Sequence, residues 1–243
     1  MLFRFRIFIF AVVVVLGFWA PWDKWLGLRS TRVWLEVPSQ VARLGWMELG
    51  TATLTLTIAA VVCAAIAAVW RVWGTAYLHG AVVYGSEMHA GAIVADGPYR
   101  YVRNPLYVGM MFHVLALAVL MSPSGAVFTI VAVQLFFVAL VRGEERLMLA
   151  RHGASYANYM KAVPRWVPAL RPRVARSGAR GRWGQAFFGE IYVCAVAVIF
   201  AGLAWRYNAL LLVRWILIAY GVRMILWALV PWGKEKAGPS SGW

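Results

Sequence analysis

Carboxylates and cysteines are scarce in this chain. Nine Asp and Glu face 24 Lys and Arg over 243 residues, for a net charge of +15, and there are two cysteines. Cys63 and Cys194 each sit inside an apolar run. A small buried hydrophobe is the default there, which argues against a disulfide or a metal pair. The four histidines make no metal pattern, because no two stand at i, i+4 with a third ligand in reach. No Gly-x-Gly-x-x-Gly follows a strand-like run, so a soluble dinucleotide fold is not indicated.

Apolar residues fill the space these absences leave. They make up 63% of the chain, with a mean hydropathy of +0.70, well above a soluble domain. Several runs approach the ~20 residues that span a bilayer. The basic residues cluster between these runs, so cytoplasmic loops beside anionic lipid explain the charge more simply than nucleic acid does. The expected fold is an all-α integral membrane protein with about six transmembrane helices. The spans are Ile7–Ala20, Leu49–Val72, Leu106–Met121, Val127–Val141, Ala186–Ala204 and Ala209–Pro231. The first is read as a retained helix rather than a signal peptide, since Phe18 occupies a cleavage position that wants a small residue. Pro21, Trp22 and Trp25 follow it as interfacial anchors, and Pro38-Ser39 starts an amphipathic entry to the second span. The threonines of that span need not mark a polar path, since they can bond their own backbone.

Charge asymmetry sets the orientation. Residues 142–185 carry ten Arg or Lys and only Glu144 and Glu145 as acids. That segment is expected in the cytoplasm, which puts the short Ser122–Gly125 turn outside and both termini inside. The excess of arginine over lysine, 20 to 4, fits a high-GC bacterial source, and the expected location is a bacterial inner membrane. Within 142–185, Val163–Pro168 is extended, and the basic stretch Arg171–Arg182 is expected to lie on headgroups.

Two stretches carry the chemistry. Gly97-Pro98-Tyr99-Arg100-Tyr101-Val102-Arg103-Asn104-Pro105-Leu106-Tyr107-Val108-Gly109 opens a helix, with Pro105 suited to its first turn. Arg103 and Asn104 then sit at the membrane–water boundary near the positive end of a helix dipole, where a polar or anionic ligand is favoured. Glu144-Glu145 follows at the far end of the hairpin, so topology brings residues about 40 apart in sequence to one face. Ion pairing with Arg103, Arg142 or Arg146 accounts for the acids in one way. A ligand site accounts for them in another: an acid receives hydroxyl or ammonium donors, with Arg103, Asn104 and Tyr107 as the opposite wall. His113, inside the third span, is either a bundle-facing polar group or a functional one. His79 and His89 lie in a polar loop near the motif, and His152 is expected at the surface.

The ordered set Gly97 to Tyr99, Arg103 to Gly109, Glu144-Glu145, Gly153 to Tyr159 and Val163-Pro164 resembles the isoprenylcysteine carboxyl methyltransferase family, with its phospholipid N-methyltransferase relatives. The likeness covers about a third of the chain. It implies a cytosolic-side S-adenosylmethionine pocket at the helical hairpin, with Ile93 and Val94 giving backbone contacts. Tyr99, Arg103, Asn104, Pro105, Leu106 and Tyr107 then surround the cofactor, and Glu144 meets its polar groups. Arg142, facing the acceptor, and Glu145 are the implied catalytic residues. The family's usual His is Asn104 here, so a role needing a charged imidazole is in doubt. The implied reaction is carboxyl O-methyl or lipid N-methyl transfer to a lipid-like or prenylated acceptor, with the bilayer as partner and neither metal nor nucleic acid. In this reading residues 1–72 hold two helices and 73–170 the catalytic core. Residues 171–185 are a basic linker, and 186–243 hold two more helices and a tail.

Two other readings compete. The sterol reductase family has a similar helix start but uses NADPH, and its members tend to place a basic residue before the second acid. An accessory membrane subunit with a decayed site is the non-enzymatic possibility, with Asn104 as its best support.

Overall fold

The structure, a computed structural model, describes residues 5–78 and 93–229. His79, Glu87 and His89, and the end of the last expected span beyond residue 229, lie outside the described residues. The described chain is helical throughout, with no strand: α1 Arg6–Trp19, α2 Trp22–Trp25, α3 Val33–Arg43, α4 Leu49–Tyr77, a 3-10 turn Gly97–Arg100, α5 Pro105–Ala118, α6 Pro123–Ala162, α7 Trp183–Gly189, α8 Ile191–Leu203 and α9 Ala209–Leu229. Three helices are long and apolar enough to cross a bilayer: α4, α6 and α9. A fourth crossing arises if α7 and α8, bent by 70° at Glu190, count as one. Helices α1 and α5 are apolar but shorter, 14 residues each.

One expected boundary is corrected. The fourth span does not end at Val141: α6 runs on through Glu144 and Glu145 to Gly153, and resumes beyond it to Ala162. Gly143 costs the helix only about 1 kcal/mol, and the polar residues continue it beyond the apolar stretch. The break falls instead at Gly153, at φ 50° and ψ −126°, a conformation that glycine adopts at little cost.

Glycines and alanines let the helices approach closely, as is usual where packing rather than hydrophobic collapse holds helices together. Ala60, Ala64 and Ala67 form a buried stripe on α4. A Cβ on Gly74 would lie 2.6 Å from Leu106 Cδ2, and one on Gly109 would lie 2.9 Å from Arg71 Cγ. The α4–α5 crossing is therefore nearly backbone on backbone. Gly125 of α6 likewise abuts the carbonyl oxygen of Gly17 on α1.

Two ends of the bundle are tied differently. At one end Val33 and Trp34 donate their N–H groups to Met121 and Val119 carbonyls at 2.8 and 2.9 Å, covering acceptors that the end of α5 leaves open. Ser122 caps α6 by accepting from Gly125 N at 3.2 Å. Thr53, Thr55 and Thr57 do bond back to their own helix, as expected, and Thr57 also accepts from Trp34 Nε1 at 2.9 Å.

At the other end the Gly97–Arg100 turn is clamped by the basic stretch that the sequence assigns to headgroups. Asp96 accepts from Ser177 N at 2.9 Å, from Ala179 N at 2.8 Å and from the Ser177 hydroxyl. Arg173 N reaches the Arg100 carbonyl at 2.8 Å and Arg182 N the Ala76 carbonyl at 2.8 Å. A buried carboxylate offers more bonding to this stretch than lipid does, so the stretch wraps onto the protein.

Candidate functional site

The start of α5 and the polar continuation of α6 meet at the clamped end. Pro105 occupies the first helical position of α5, and Asn104 precedes it as the cap residue with a non-helical backbone. The Asn104 side chain donates from Nδ2 to the Arg165 carbonyl at 3.2 Å. Arg103 N donates to the Pro164 carbonyl at 2.9 Å. The extended Val163–Pro168 segment therefore lies along the helix start. Tyr159 then donates its hydroxyl to the Tyr99 carbonyl at 2.9 Å, which fixes the turn from the far side of the Gly153 break.

The two acids take different partners. Tyr107 Oη donates to Glu144 Oε1 at 2.6 Å. Glu145, only 4% exposed, accepts from Arg103 Nη1 at 2.7 Å, from Arg165 Nη2 at 2.6 Å and from Arg165 Nε at 3.2 Å. Both its oxygens are thus occupied by guanidinium groups. Breaking such a buried pair from one side typically costs about 3–5 kcal/mol, because the remaining charge is left uncompensated. The ion-pair reading therefore describes Glu145, while Glu144 lines the space beside it.

That space is a cavity of about 830 Å³, within the range of small-molecule sites. Ile93, Val94, Tyr99, Arg103, Asn104, Pro105, Leu106, Tyr107, Glu144 and Glu145 all line it. Arg142 does not: it is exposed and stands outside the lining. Burial pushes the Tyr99 phenol above its usual range, so it remains protonated at neutral pH. His152, expected at the surface, is half-buried.

Sequence reasoning missed part of the wall. Arg6 of α1, Arg71 of α4 and Glu190 at the α7–α8 bend line the same cavity. Glu190 is 3% exposed. It accepts from Arg71 Nε at 2.8 Å, Arg71 Nη2 at 2.6 Å and Thr75 Oγ1 at 2.7 Å. Arg165, which holds Glu145 from behind the wall, is a further residue that the motifs do not single out. A signal existed for two of these: Arg71 interrupts an apolar helix, and Glu190 is the one acid between Glu145 and Glu235. Ionisable residues beside membrane helices usually face a partner or a cavity.

Comparison with known proteins bears out the resemblance read from the motifs. Residues 53–155 match the phospholipid methyltransferase family. The chain is 37% identical over 72 residues to a methanethiol S-methyltransferase of Crocosphaera subtropica, covering 30% of this chain and 28% of that one. It is 35% identical over 80 residues to a protein-S-isoprenylcysteine O-methyltransferase of Schizosaccharomyces pombe, covering 32% of this chain and 34% of that one. The chain thus spans about a third or less of the length of these curated relatives. No solved structure matches it.

Proposed function

We propose that this chain is a membrane-embedded methyltransferase that uses S-adenosylmethionine and acts on a lipid-like or prenylated small acceptor. The observation that carries the reading is the Tyr107–Glu144 hydrogen bond of 2.6 Å beside the cavity. It joins the two halves of the motif, 37 residues apart, at one wall. The similarity of residues 53–155 to phospholipid methyltransferases supports it, since that segment contains both halves.

The residues present fit the cofactor. A carboxylate has about four acceptor sites, and the Tyr107 hydroxyl takes one of Glu144's. Its remaining capacity suits ammonium or ribose hydroxyl donors. The mostly apolar remainder of the wall, with Ile93, Val94, Leu106 and Met148, suits an adenine ring. Bound S-adenosylmethionine supplies a methyl group carried on a positively charged sulfur. The chain's own part is to hold donor and acceptor in line, which can supply large effective molarities, and to keep water out. In this proposal Glu145, Arg103 and Arg165 position the wall, with Glu144 as the acid that meets the cofactor. Arg142 is left a surface role by its exposure.

The same proposal counts six crossings, by including α1 and α5 and treating α7–α8 as one, with the cavity mouth and both termini at the cytoplasm. Its support is the separation of two sets of contacts. Residues 32–34, 119–125 and 207 meet at one end, as in the Trp22–Ser124 hydrogen bond and the Trp34–Tyr207 ring contact. Residues 76, 96–104 and 163–182 meet at the other. The ten-positive segment belongs to the second.

Calorimetric titration of the purified chain in nanodiscs with S-adenosylmethionine, S-adenosylhomocysteine and NADPH tests the function. Saturable binding of the first two that weakens in Glu144→Gln is expected. Binding of NADPH alone would move the chain to the reductases, and binding of none would leave an accessory role.

A further inference from the structure

The helices around the cavity form an open arc. Helix α1 packs on α6, α6 on α5, α5 on α4, α4 on α8 and α8 on α9. No comparable packing joins α1 to α9, the two ends of that order, among the described residues. Both nevertheless line the cavity, α1 with Ile7, Val15 and Trp19 and α9 with Leu217 and Tyr220. All five are exposed, Val15 at 60%, Trp19 at 72% and Leu217 at 64%. A side chain that lines a cavity and is this open stands at a mouth, so the cavity opens sideways between α1 and α9. Both rims are apolar, and α9 is long and apolar enough to cross a bilayer with little of its surface buried. What meets the mouth is therefore hydrocarbon.

The depth of this opening matches one leaflet. Phe10 of α1 stacks on Phe137 of α6 at 6.2 Å, and Phe137 meets Tyr107 at 5.0 Å, which puts Phe10 level with the motif. From Phe10 to Trp19 is about 14 Å along α1, and from Tyr107 to Leu117 about 15 Å along α5. Half of a ~30 Å hydrocarbon core is the same length. Along this arm the lining on α1, α5 and α6 is apolar apart from His113, with Phe10, Val14, Phe18, Met110, Leu117 and Phe136. The polar groups stand at its Tyr107 end: Glu144, bonded to Tyr107, and Arg6, one turn before Phe10. A chain lying in the leaflet can thus slide into the arm at its own depth and bring its head to the motif. Lipid tails are as apolar as the arm, so a chain gains little by moving in. The arm selects by shape, and the head contacts supply the affinity.

We propose that the methyl acceptor enters from the bilayer between α1 and α9 and keeps its tail in that gap, and that it is an amphiphile with one apolar chain about a leaflet long. The inference rests on the methyltransferase reading above. The cavity of about 830 Å³ also has to hold the cofactor, and a second chain would compete for that space. Ala11 is the small side chain of α1's lining, between Phe10 and Val14, so bulk added there closes the arm. Helices α1 and α9 both lie outside residues 53–155. Tail choice is therefore set by parts of the chain that the family match does not cover.

The test uses the full chain in nanodiscs and hexadecyl probes with a diazirine in the chain and a thiol, carboxylate or amine head. Photolabel is mapped by peptide mass spectrometry, with and without excess unlabelled probe. Label on exposed Val131 and Leu135 of α6 reports general lipid contact and should not be competed away. With S-adenosylhomocysteine bound, at least one probe should label α1 and α9 in a form that its unlabelled counterpart removes and a two-chain lipid of the same head does not. Ala11→Trp and, from the opposite rim, Leu217→Trp should each cut that label about tenfold or more, while calorimetry still detects S-adenosylhomocysteine binding. If Ala11→Trp loses the cofactor as well, Leu217→Trp decides. The proposal is overturned if no head gives competable label on α1 and α9, if S-adenosylhomocysteine displaces it, if the two-chain lipid competes equally, or if both variants label as wild type. Those results leave the cofactor reading intact. Failure of the wild type to bind S-adenosylhomocysteine would instead overturn the cofactor reading, and with it the acceptor's role, even where the gap is labelled.

Discussion

At the scale of single residues, the site turns on which acid is already satisfied. Glu145 has two arginines and Glu144 has one tyrosine, so their replacements should fail in different ways. Tyr107→Phe removes one hydrogen bond to a charged group, worth about 1.5–3 kcal/mol. That bond is made without any ligand, so the unfolding temperature should fall in thermal scans, while affinity for S-adenosylmethionine should fall about tenfold or more in the variant that is still folded, as calorimetry would reveal. Glu145→Gln instead leaves Arg103 and Arg165 facing each other without a charge between them. It should lower the unfolding midpoint clearly, and any loss of binding should follow that loss of structure.

Asp96 permits a pH prediction at the same scale. The Ser177 hydroxyl, with the Ser177 and Ala179 N–H groups, holds its carboxyl below the usual carboxylate range. A folded value below the unfolded one means the clamp stabilises fully above about pH 4 and is lost as pH falls through the lower folded value. Asp96→Asn should therefore unfold more readily than wild type at neutral pH. The gap should close only in acid below the ordinary carboxylate range, and a gap that closes near neutrality would contradict the clamp.

At the scale of elements, two glycines set where helices and turns can lie. Gly97 has φ 57°, and a Cβ there would run into the Tyr77 ring. Gly97→Ala should cost about 1–2 kcal/mol from the backbone alone and more from the ring, with the turn pushed off the end of α4. Gly109 allows Arg71 to cross α5 on its way to Glu190. A Cβ at 109 would stand 2.9 Å from Arg71 Cγ and 3.1 Å from Arg71 N, and the backbone nitrogen cannot step aside. Gly109→Ala should thus disturb the Arg71–Glu190 pair from a helix that contains neither residue. Thermal stability of Gly109→Ala, Glu190→Gln and the double variant in a mutant cycle would measure that coupling.

At the scale of the whole molecule, the proposed six-pass order predicts sidedness. With Cys63 and Cys194 replaced, a cysteine at exposed Asn208 should react with an impermeant maleimide on intact cells. One at exposed Arg180 should react only after the membrane is opened. Equal labelling of both would refute the orientation.

The sequence by itself determined the helical, membrane-bound character of the chain and the pairing of its two motif halves. Long apolar runs leave a backbone in lipid few choices but the helix, and a short turn between two such runs forces their far ends together. The family likeness was legible for the related reason that its residues lie on that one hairpin, in order. Tertiary structure alone decided that α1, α4 and the α7–α8 bend close the same cavity, because Arg6, Arg71 and Glu190 are far apart in sequence. It also decided which acid is locked: neighbours in sequence point to different sides of a helix, so Glu145 finds Arg103 and Arg165 while Glu144 finds Tyr107 and open space.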